Sequence, residues 1–479
     1  MKQISLGQST LYMTLASIAQ KLISFVYFAI IARTLGAEDT GKYFFALSFT
    51  TIFVVFVDLG LTNVMVREGA KAKERVSEFL SSIIFLKFFL GLATYVVMAV
   101  TLIALGYTRE AQVLVFISGI TMLTDSLQLS LYGTLRALGN IKYEAYGIIG
   151  SQFLTLVLGT TFLYFKLPLF FLMIAFLVPS FLNMVFAWTV VTIKYRLKLR
   201  PHYSREIVFY LLPIAVPFAL ATIFGRVFAY ADSVMLSKIA GDVAVGWYSV
   251  PYKIAYAFQF IPFALIAGLY PRMSEYFAHD KKRLGEVFSQ GLRYLLVVSI
   301  PMCVGIMVLA HQIINTFFGR EYSPSVVPLQ ILMVGVVAGF VNVLLGALLN
   351  ATGKQKTQTT YVGITMLANI ILNFILIPKM NIQGAAIAAT LGNILLFVIS
   401  WITVSKNISI AYDELRTLLM KLGVSSAAMG VVVWYTALHV QVFVAAVIGG
   451  IVFGVLFTLM KGLTTEDIAY FKSIRSKKT

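Results

Sequence analysis

About fourteen apolar runs, each close to 20 residues long, follow one another along this 479-residue chain. A helix of about 20 apolar residues is long enough to cross the hydrocarbon core of a bilayer. The connections are short, since none is longer than about 20 residues. The pattern therefore predicts a membrane protein that crosses the bilayer about fourteen times.

The predicted spans share a helical length and lack the period-two alternation of an outer-membrane β-barrel. They cover residues 9–32, 43–66, 79–105, 112–135, 143–165, 169–193, 207–236, 247–270, 287–310, 326–349, 359–377, 385–404, 415–438 and 442–460. The predicted fold class is therefore an all-α integral membrane protein. The first span is too long and too polar for a cleavable signal peptide, so we expect it to remain in the mature protein.

The composition excludes other classes of protein. Charged residues make up only 12% of the chain, whereas a soluble domain carries about 25%, which rules out a soluble enzyme. The net charge of +18 does not indicate a nucleic-acid partner, because the basic residues punctuate apolar runs instead of forming one basic face. The four histidines have no ligand spacing, so we predict no metal site.

Basic residues are unevenly shared between alternate connections. One set of connections, together with the two chain ends, holds roughly 25 of the 38 Lys and Arg residues. The opposite set holds Arg33, Lys42, Arg109, Lys166, Lys238, Arg320 and Lys379. Because basic loops stay on the cytoplasmic side, both termini are predicted to be cytoplasmic, in a chain that resides in the cytoplasmic membrane.

No connection carries a motif for catalysis. Gly-rich phosphate loops, His-Glu-x2-His pairs and Gly-x-Ser-x-Gly turns are all missing from the sequence. The chain is therefore not predicted to be an enzyme, and we assign neither a catalytic residue nor a cofactor. Transport is expected to be driven by a gradient, with a proton or a sodium ion as the coupling ion, or by consumption of the product.

A weak internal repeat relates the two halves of the chain at a shift of 205 residues. The pattern Gly-x4-Gly-x-Tyr occurs at residues 36–43, after the first span, and again at residues 241–248, after the seventh. Each half holds six spans, an even number, so the halves are predicted to be parallel repeats about an axis along the membrane normal. The predicted domains are two six-helix bundles (1–200 and 201–410) and a final part with two extra helices and a cytoplasmic tail (411–479).

Two basic residues occupy matching positions in the first and seventh spans. Lys21 lies on a polar face with Ser17 and Ser24, and Arg226 lies on one with Thr222. A charge that faces lipid at this depth costs about 2.5–3.5 kcal/mol, so we expect both side chains to line water. Since lysine and arginine are the usual partners of phosphate, the pair is predicted to bind an anionic substrate.

Two further lysines lie inside spans. Lys253, in the eighth span, either adds to the field of this pair or snorkels to the outer interface. Lys87, near the cytoplasmic end of the third span, is expected to snorkel.

Three acids within spans, Asp58, Asp125 and Asp232, have two interpretations. Each can hold a coupling proton or sodium ion, or it can balance the charge of Lys21 or Arg226 in a structural pair. Both interpretations stay open from the sequence.

The seventh span also contains residues that weaken a helix. Pro213 and Pro217 interrupt it, and Gly225 precedes Arg226. Because proline removes a backbone hydrogen bond and kinks a helix, these residues are predicted to form a hinge. An irregularity of packing without motion is the alternative.

The first-half motif resembles the start of the polysaccharide repeat-unit flippases of the O-antigen type. The resemblance rests on residues 32–43 (ARTLGAEDTGKY), 58–61 (DLGL) and 66–68 (VRE), and its second-half counterpart on residues 245–254 (VGWYSVPYKI). These flippases belong to the multidrug/oligosaccharidyl-lipid/polysaccharide exporter superfamily. The resemblance implies two six-helix bundles that form a V, with the first and seventh helices lining the cavity, plus two C-terminal helices.

The resemblance also implies a function. The chain would move a polyprenyl-pyrophosphate-linked oligosaccharide from the inner to the outer leaflet by alternating access, with Lys21 and Arg226 on the diphosphate. The alternatives are a cation-coupled multidrug antiporter, for which an acidic cavity is expected, and a lipid II flippase. Expected partners are the glycan lipid, membrane lipids and other polysaccharide assembly proteins, with no nucleic acid and with the chain as a monomer.

Overall fold

The structure is a computed structural model that describes residues 6–200, 204–408 and 410–462. Within these ranges the side chains of residues 6–11, 212 and 217 lie outside the description. The two chain ends, which are predicted to be cytoplasmic, and most of the predicted cytoplasmic tail also fall outside it. The described part is almost entirely helical and contains no strand.

The helices follow the predicted spans closely. They are α1 (Leu6–Asp58), α2 (Leu61–Lys71), α3 (Val76–Ala104), α4 (Arg109–Ala137), α5 (Lys142–Tyr164), α6 (Phe170–Thr189), α7 (Arg205–Ala240), α8 (Asp242–Ala257), α9 (Phe260–His279), α10 (Lys281–Val308), α11 (Ala310–Phe317), α12 (Val326–Ala351), α13 (Gln355–Ser405), α14 (Tyr412–Thr436) and α15 (Val442–Leu459). Twelve helical stretches of the described residues are long and apolar enough to cross a membrane. Two of them, Tyr12–Lys71 and Gln355–Ser405, each contain two predicted spans, so the predicted all-α fold with about fourteen spans is confirmed.

Several breaks between helices consist of very few residues. α1 is interrupted only at Gly36 (φ 74°) and α13 only at Asn381 (φ 51°). The second predicted span, residues 43–66, is not one continuous helix, because the chain turns at Gly60 between α1 and α2. A Cβ on Gly60 would lie 2.8 Å from the carbonyl oxygen of Ala215 in α7. The eighth predicted span is also divided, since α8 ends at Ala257 and α9 begins at Phe260.

Contacts divide the chain into two compact units. The first contains Met1–Ser249 and Thr359–Ala388, and the second contains Val250–Gln358 and Ala389–Thr479. Helices α1 and α7 both belong to the first unit and pack against each other there. The organisation into two six-helix bundles with two extra helices stays a prediction.

The two glycine motifs of the repeat meet within the first unit, at a place that we call the glycine corner (residues 36–41 and 241–246). Gly36 and Gly241 have nearly the same backbone conformation, with φ of 74° and 85° and ψ of −177° and 176°. Residues with a side chain rarely adopt this conformation. Each glycine therefore lets the chain turn sharply out of one helix and into the next.

Backbone contact at the glycine corner is reciprocal. A Cβ on Gly41 would lie 1.8 Å from the carbonyl oxygen of Asp242, and a Cβ on Gly246 would lie 1.9 Å from the carbonyl oxygen of Ala37. Ala37 and Asp242 are themselves separated by the repeat shift, so equivalent residues exchange equivalent contacts, as a two-fold axis requires. The repeat that the sequence predicts is therefore present at this corner.

A buried ion pair fixes the junction between α1 and α2. Lys87 of α3 is buried, and its Nζ lies 2.5 Å from Oδ1 of Asp58. The same ammonium donates hydrogen bonds to Oγ1 of Thr62 (3.0 Å) and to the carbonyl oxygen of Ser126 (2.8 Å). Its three N–H donors are thus matched by three acceptors. The prediction that Lys87 snorkels is wrong, because these acceptors hold it inside the helix bundle.

We expect Gly41→Ala and Gly246→Ala to lower the melting temperature of the purified protein in detergent, because the added methyl group would overlap a carbonyl oxygen. Gly150→Ala is the matched control, since Gly150 is helical and has open space where its Cβ would lie. That change should be neutral or stabilising, because alanine favours a helix by about 1 kcal/mol over glycine. Equal melting temperatures for the three variants would contradict the backbone contact.

We expect Lys87→Met to lower the free energy of unfolding by about 3–5 kcal/mol, because Asp58 then keeps its charge without a buried partner. Adding Asp58→Asn should recover part of this loss. Thermal unfolding in detergent measures both effects, with Lys73→Met as the control at an exposed lysine. A double variant that is less stable than Lys87→Met would argue against the pair.

Candidate functional site

The structure brings Lys21 and Arg226 together in the first unit. Their helices pack against each other, and the two positive charges are close enough to repel. Both side chains are exposed. Because the repeat relates the two positions, the cations lie on either side of the two-fold axis of the glycine corner. We call Lys21 and Arg226 the cation pair.

The cation pair lies well inside the helices. Each cation precedes its corner glycine, Gly36 or Gly241, by 15 residues, which corresponds to about 22 Å along a helix. A charge this far from the end of a span needs water or an anion beside it. Two cations that are close enough to repel raise that requirement, because each disfavours the charge of the other.

No acid among the described residues forms an ion pair with Lys21 or Arg226. Asp58, one of the three predicted alternatives, pairs with Lys87. The cation pair therefore has an uncompensated charge within the described part of the protein, and a phosphate would compensate it.

Asp125 lies in a cluster of hydroxyl groups between α4 and α6. Oγ of Ser180 donates a hydrogen bond to Oδ1 of Asp125. Oγ1 of Thr124 lies 2.7 Å from the same Ser180 oxygen. The described residues give Asp125 a hydrogen-bonding partner but no basic one.

Asp232 is buried in α7 and binds the tyrosine of the second glycine motif. Oη of Tyr248 donates to Oδ2 of Asp232 at 2.5 Å. In the first half the motif residue Tyr43 lies beside Tyr27 of α1. Tyr27 and Asp232 are related by the repeat shift, so each motif tyrosine contacts the same position of its preceding helix.

The polar residues beside the cation pair differ in their accessibility. Ser17 and Ser24 are half-buried on α1, whereas Thr222 is exposed on α7. Oγ1 of Thr222 donates to the carbonyl oxygen of Phe218 at 2.8 Å. Lys253 is half-buried in α8 and belongs to the second unit.

The predicted hinge residues lie in one continuous helix. α7 runs from Arg205 to Ala240 through Pro213, Pro217 and Gly225. Pro213 is exposed, Gly225 has open space where a Cβ would lie, and the side chain of Pro217 is outside the description. Bending of α7 at these residues stays a prediction.

Glu68, which the sequence does not predict as a site residue, connects α2 to α7 through a hydrogen bond. Its carboxylate is buried and accepts hydrogen bonds from Nζ of Lys71 and from Oη of Tyr210, both at 2.9 Å. Nε of Arg67 lies 3.4 Å from the same carboxylate. The only sequence signal for Glu68 was its place in the VRE stretch, because an acid among basic residues ordinarily indicates an exposed loop.

The second unit contains an apolar cavity of about 510 Å³. It lies between α10, α12, α14 and the C-terminal half of α13, and its lining includes Leu296, Met333, Phe397, Trp401 and Leu415. Each of these side chains presents an apolar surface to the cavity. The cavity therefore suits a hydrocarbon chain and not a charged group.

Two family models match the chain. Residues 6–277 match the model described as polysaccharide biosynthesis protein, and residues 208–375 match the model described as MatE. The capsular polysaccharide biosynthesis protein CapF of Staphylococcus aureus is 25% identical over 80% of this chain and 94% of the relative. The probable low-salt glycan biosynthesis flippase Agl15 of Haloferax volcanii is 23% identical over 81% of each protein.

A solved structure has the same fold. The lipid II flippase MurJ in an inward closed conformation superimposes with a TM-score of 0.78, over 95% of this chain and 99% of that one, at 18% identity. The chain is thus a multi-pass membrane protein with a transporter fold. Because the first family model covers more than half of its residues, the chain belongs to the polysaccharide biosynthesis protein family, in agreement with the resemblance carried by its glycine motifs.

Proposed function

We propose that the protein is a flippase that moves a polyprenyl-pyrophosphate-linked oligosaccharide from the inner to the outer leaflet of the cytoplasmic membrane. The cation pair carries this proposal, because two cations that are close enough to repel, with no carboxylate partner among the described residues, suit a diphosphate. A diphosphate that crosses bare hydrocarbon would pay a prohibitive desolvation cost. Lys21 and Arg226 would replace part of its hydration with charge-assisted hydrogen bonds.

The other polar residues have supporting roles in this proposal. Ser17, Ser24 and Thr222 lie one helical turn from a cation and would contact the sugar or its water shell. Lys253 would add positive charge from α8. Bending of α7 at Pro213, Pro217 and Gly225 would let the site open to alternate sides.

The prenyl chain has a suitable surface in the second unit. The apolar cavity that includes Trp401 and Leu415 would accept isoprenoid units, which need no polar contact.

Loop charges support an orientation with both termini in the cytoplasm. On this side the glycan lipid would be received from the enzymes that assemble it, and the chain would act as a monomer.

The charge of the cation pair bears differently on the two alternative cargoes, a drug cation and lipid II. A cation-coupled drug antiporter is favoured by the MatE match over residues 208–375, but a drug cation would be repelled by Lys21 and Arg226. A lipid II flippase would use the same diphosphate chemistry, so the cation pair does not distinguish it from an oligosaccharide flippase. The names of the two relatives favour the oligosaccharide.

Coupling to a proton or a sodium ion remains part of the proposal. Asp125 and Asp232 are the candidate carriers, because a hydroxyl group donates to each of them and, among the described residues, neither is held in an ion pair like Asp58. Exchange of an ion at either acid would change the charge of the first unit during transport.

We expect Lys21→Ala combined with Arg226→Ala to reduce flipping of a fluorescent polyprenyl-diphosphate oligosaccharide in proteoliposomes by at least about tenfold, since a hydrogen bond to a charged group contributes about 1.5–3 kcal/mol. The exchange Lys21→Arg with Arg226→Lys keeps both charges and should retain most activity. Lys73→Ala with Lys198→Ala removes two exposed cations elsewhere in the first unit and serves as the control.

Full activity of the double alanine variant would remove the site assignment. Lipid II offered to the same proteoliposomes tests the alternative cargo. Transport of lipid II at the same rate as the oligosaccharide lipid would leave the cation pair as a site for diphosphate lipids in general and would contradict the proposed substrate preference.

A further inference from the structure

A basic cavity of about 200 Å³ lies in the second unit, where α10 begins, α12 and α13 end, and Lys354 precedes the start of α13. Its polar lining consists of Lys281, Thr352, Lys354, Thr403 and Asn407. Its apolar lining consists of Phe277, Leu284, Leu348, Leu349, Val404 and Ile408. None of the described lining residues is an acid, so the cavity is positively charged on one side and apolar on the other.

The two lysines of this cavity form no ion pair with a carboxylate of the described part of the chain. Among the described residues neither Lys281 nor Lys354 forms an ion pair, whereas the neighbouring Arg283 pairs with Asp280. Lys281 is exposed and Lys354 is half-buried. Both charges are therefore available to an anion that enters the cavity.

The two helix starts near this cavity differ in their capping. At the start of α10, Asp280 accepts hydrogen bonds from the N–H groups of Lys282 and Arg283, both at 3.1 Å. At the start of α13, Lys354 provides no side-chain cap, and the first turn contains no acid. The start of a helix favours a negative charge, so the start of α13 lies beside the ammonium of Lys354 without an acid of its own first turn to offset it.

We propose that this cavity binds the phosphate group of an anionic membrane lipid. Two lysine ammonium groups and a helix start provide phosphate contacts, while Leu284, Leu348 and Ile408 provide a surface for the glycerol and the first methylene groups. A free phosphate ion would make no use of that apolar surface. The cavity lies among the connections with Lys282, Lys354 and Lys356, which the loop charges place on the cytoplasmic side, where anionic lipids are enriched.

The assignment of this site to the cytoplasmic leaflet rests on the orientation given under the proposed function. The lipid site itself does not depend on that orientation. The site is distinct from the cation pair, which belongs to the first unit. A bound anionic lipid would join the ends of α10, α12 and α13 and stabilise the second unit at this end.

Native mass spectrometry of the purified full-length chain measures retention of phosphatidylglycerol against phosphatidylcholine. Lys281→Gln combined with Lys354→Gln should reduce the affinity for phosphatidylglycerol by at least about tenfold and leave the affinity for phosphatidylcholine unchanged. Lys73→Gln combined with Lys198→Gln is the matched control. Lys281→Arg combined with Lys354→Arg keeps both positive charges and should therefore retain phosphatidylglycerol as the unchanged protein does.

Unchanged selectivity for phosphatidylglycerol in the Lys281→Gln, Lys354→Gln variant would overturn the proposal. Displacement of phosphatidylglycerol by an equal concentration of inorganic phosphate would also overturn it, because a free anion would then suffice. The melting temperature of the variant in phosphatidylcholine verifies that it folds. The measurement uses no glycan lipid, so loss of lipid retention and loss of flipping are separate results.

Discussion

The contact between two backbones at the glycine corner determines where the charges of the first unit lie. Gly41 of α1 and Gly246 of α8 let the two backbones approach until carbonyl oxygens occupy the space of a side chain. Lys21 of α1 and Arg226 of α7 precede this contact by the same number of residues, so it helps to bring their charges near each other. Two cations that repel each other are held in place by packing elsewhere, and charged groups kept at a cost in stability are typical of functional sites.

The distribution of ion pairs supports the same interpretation. Lys87 is buried and fully provided with acceptors by Asp58, Thr62 and Ser126. A buried charge of this kind is compensated within the fold and contributes to structure. The cation pair differs, because its side chains are exposed and no described carboxylate compensates them. The described part of the chain therefore leaves this charge to be compensated by a bound anion, which is the property expected of a site that a charged lipid head enters and leaves.

Hydropathy and turn residues were enough to predict most of the fold, because the length of an apolar run and a glycine with positive φ are local properties. The break at Gly36 and the equivalence of Lys21 with Arg226 could both be found from the sequence. The partner of Lys87 could not, because Asp58 lies 29 residues earlier and the spacing along the chain does not reveal which helices are neighbours. The turn at Gly60 was missed for the same reason, since it is required by Ala215 of a distant helix. Likewise, the role of Glu68 depends on Tyr210, which only the packing of α2 against α7 brings near.

The most direct test of the cation pair is the rate at which an acylating reagent modifies Lys21, followed by mass spectrometry in the presence and absence of a polyprenyl diphosphate. The account predicts that the diphosphate lipid slows acylation of Lys21 by at least about tenfold, since a bound phosphate shields the ammonium. It also predicts that this protection is lost when Arg226→Met removes the second cation. Acylation of Lys21 at the same rate with and without saturating diphosphate lipid would contradict the account.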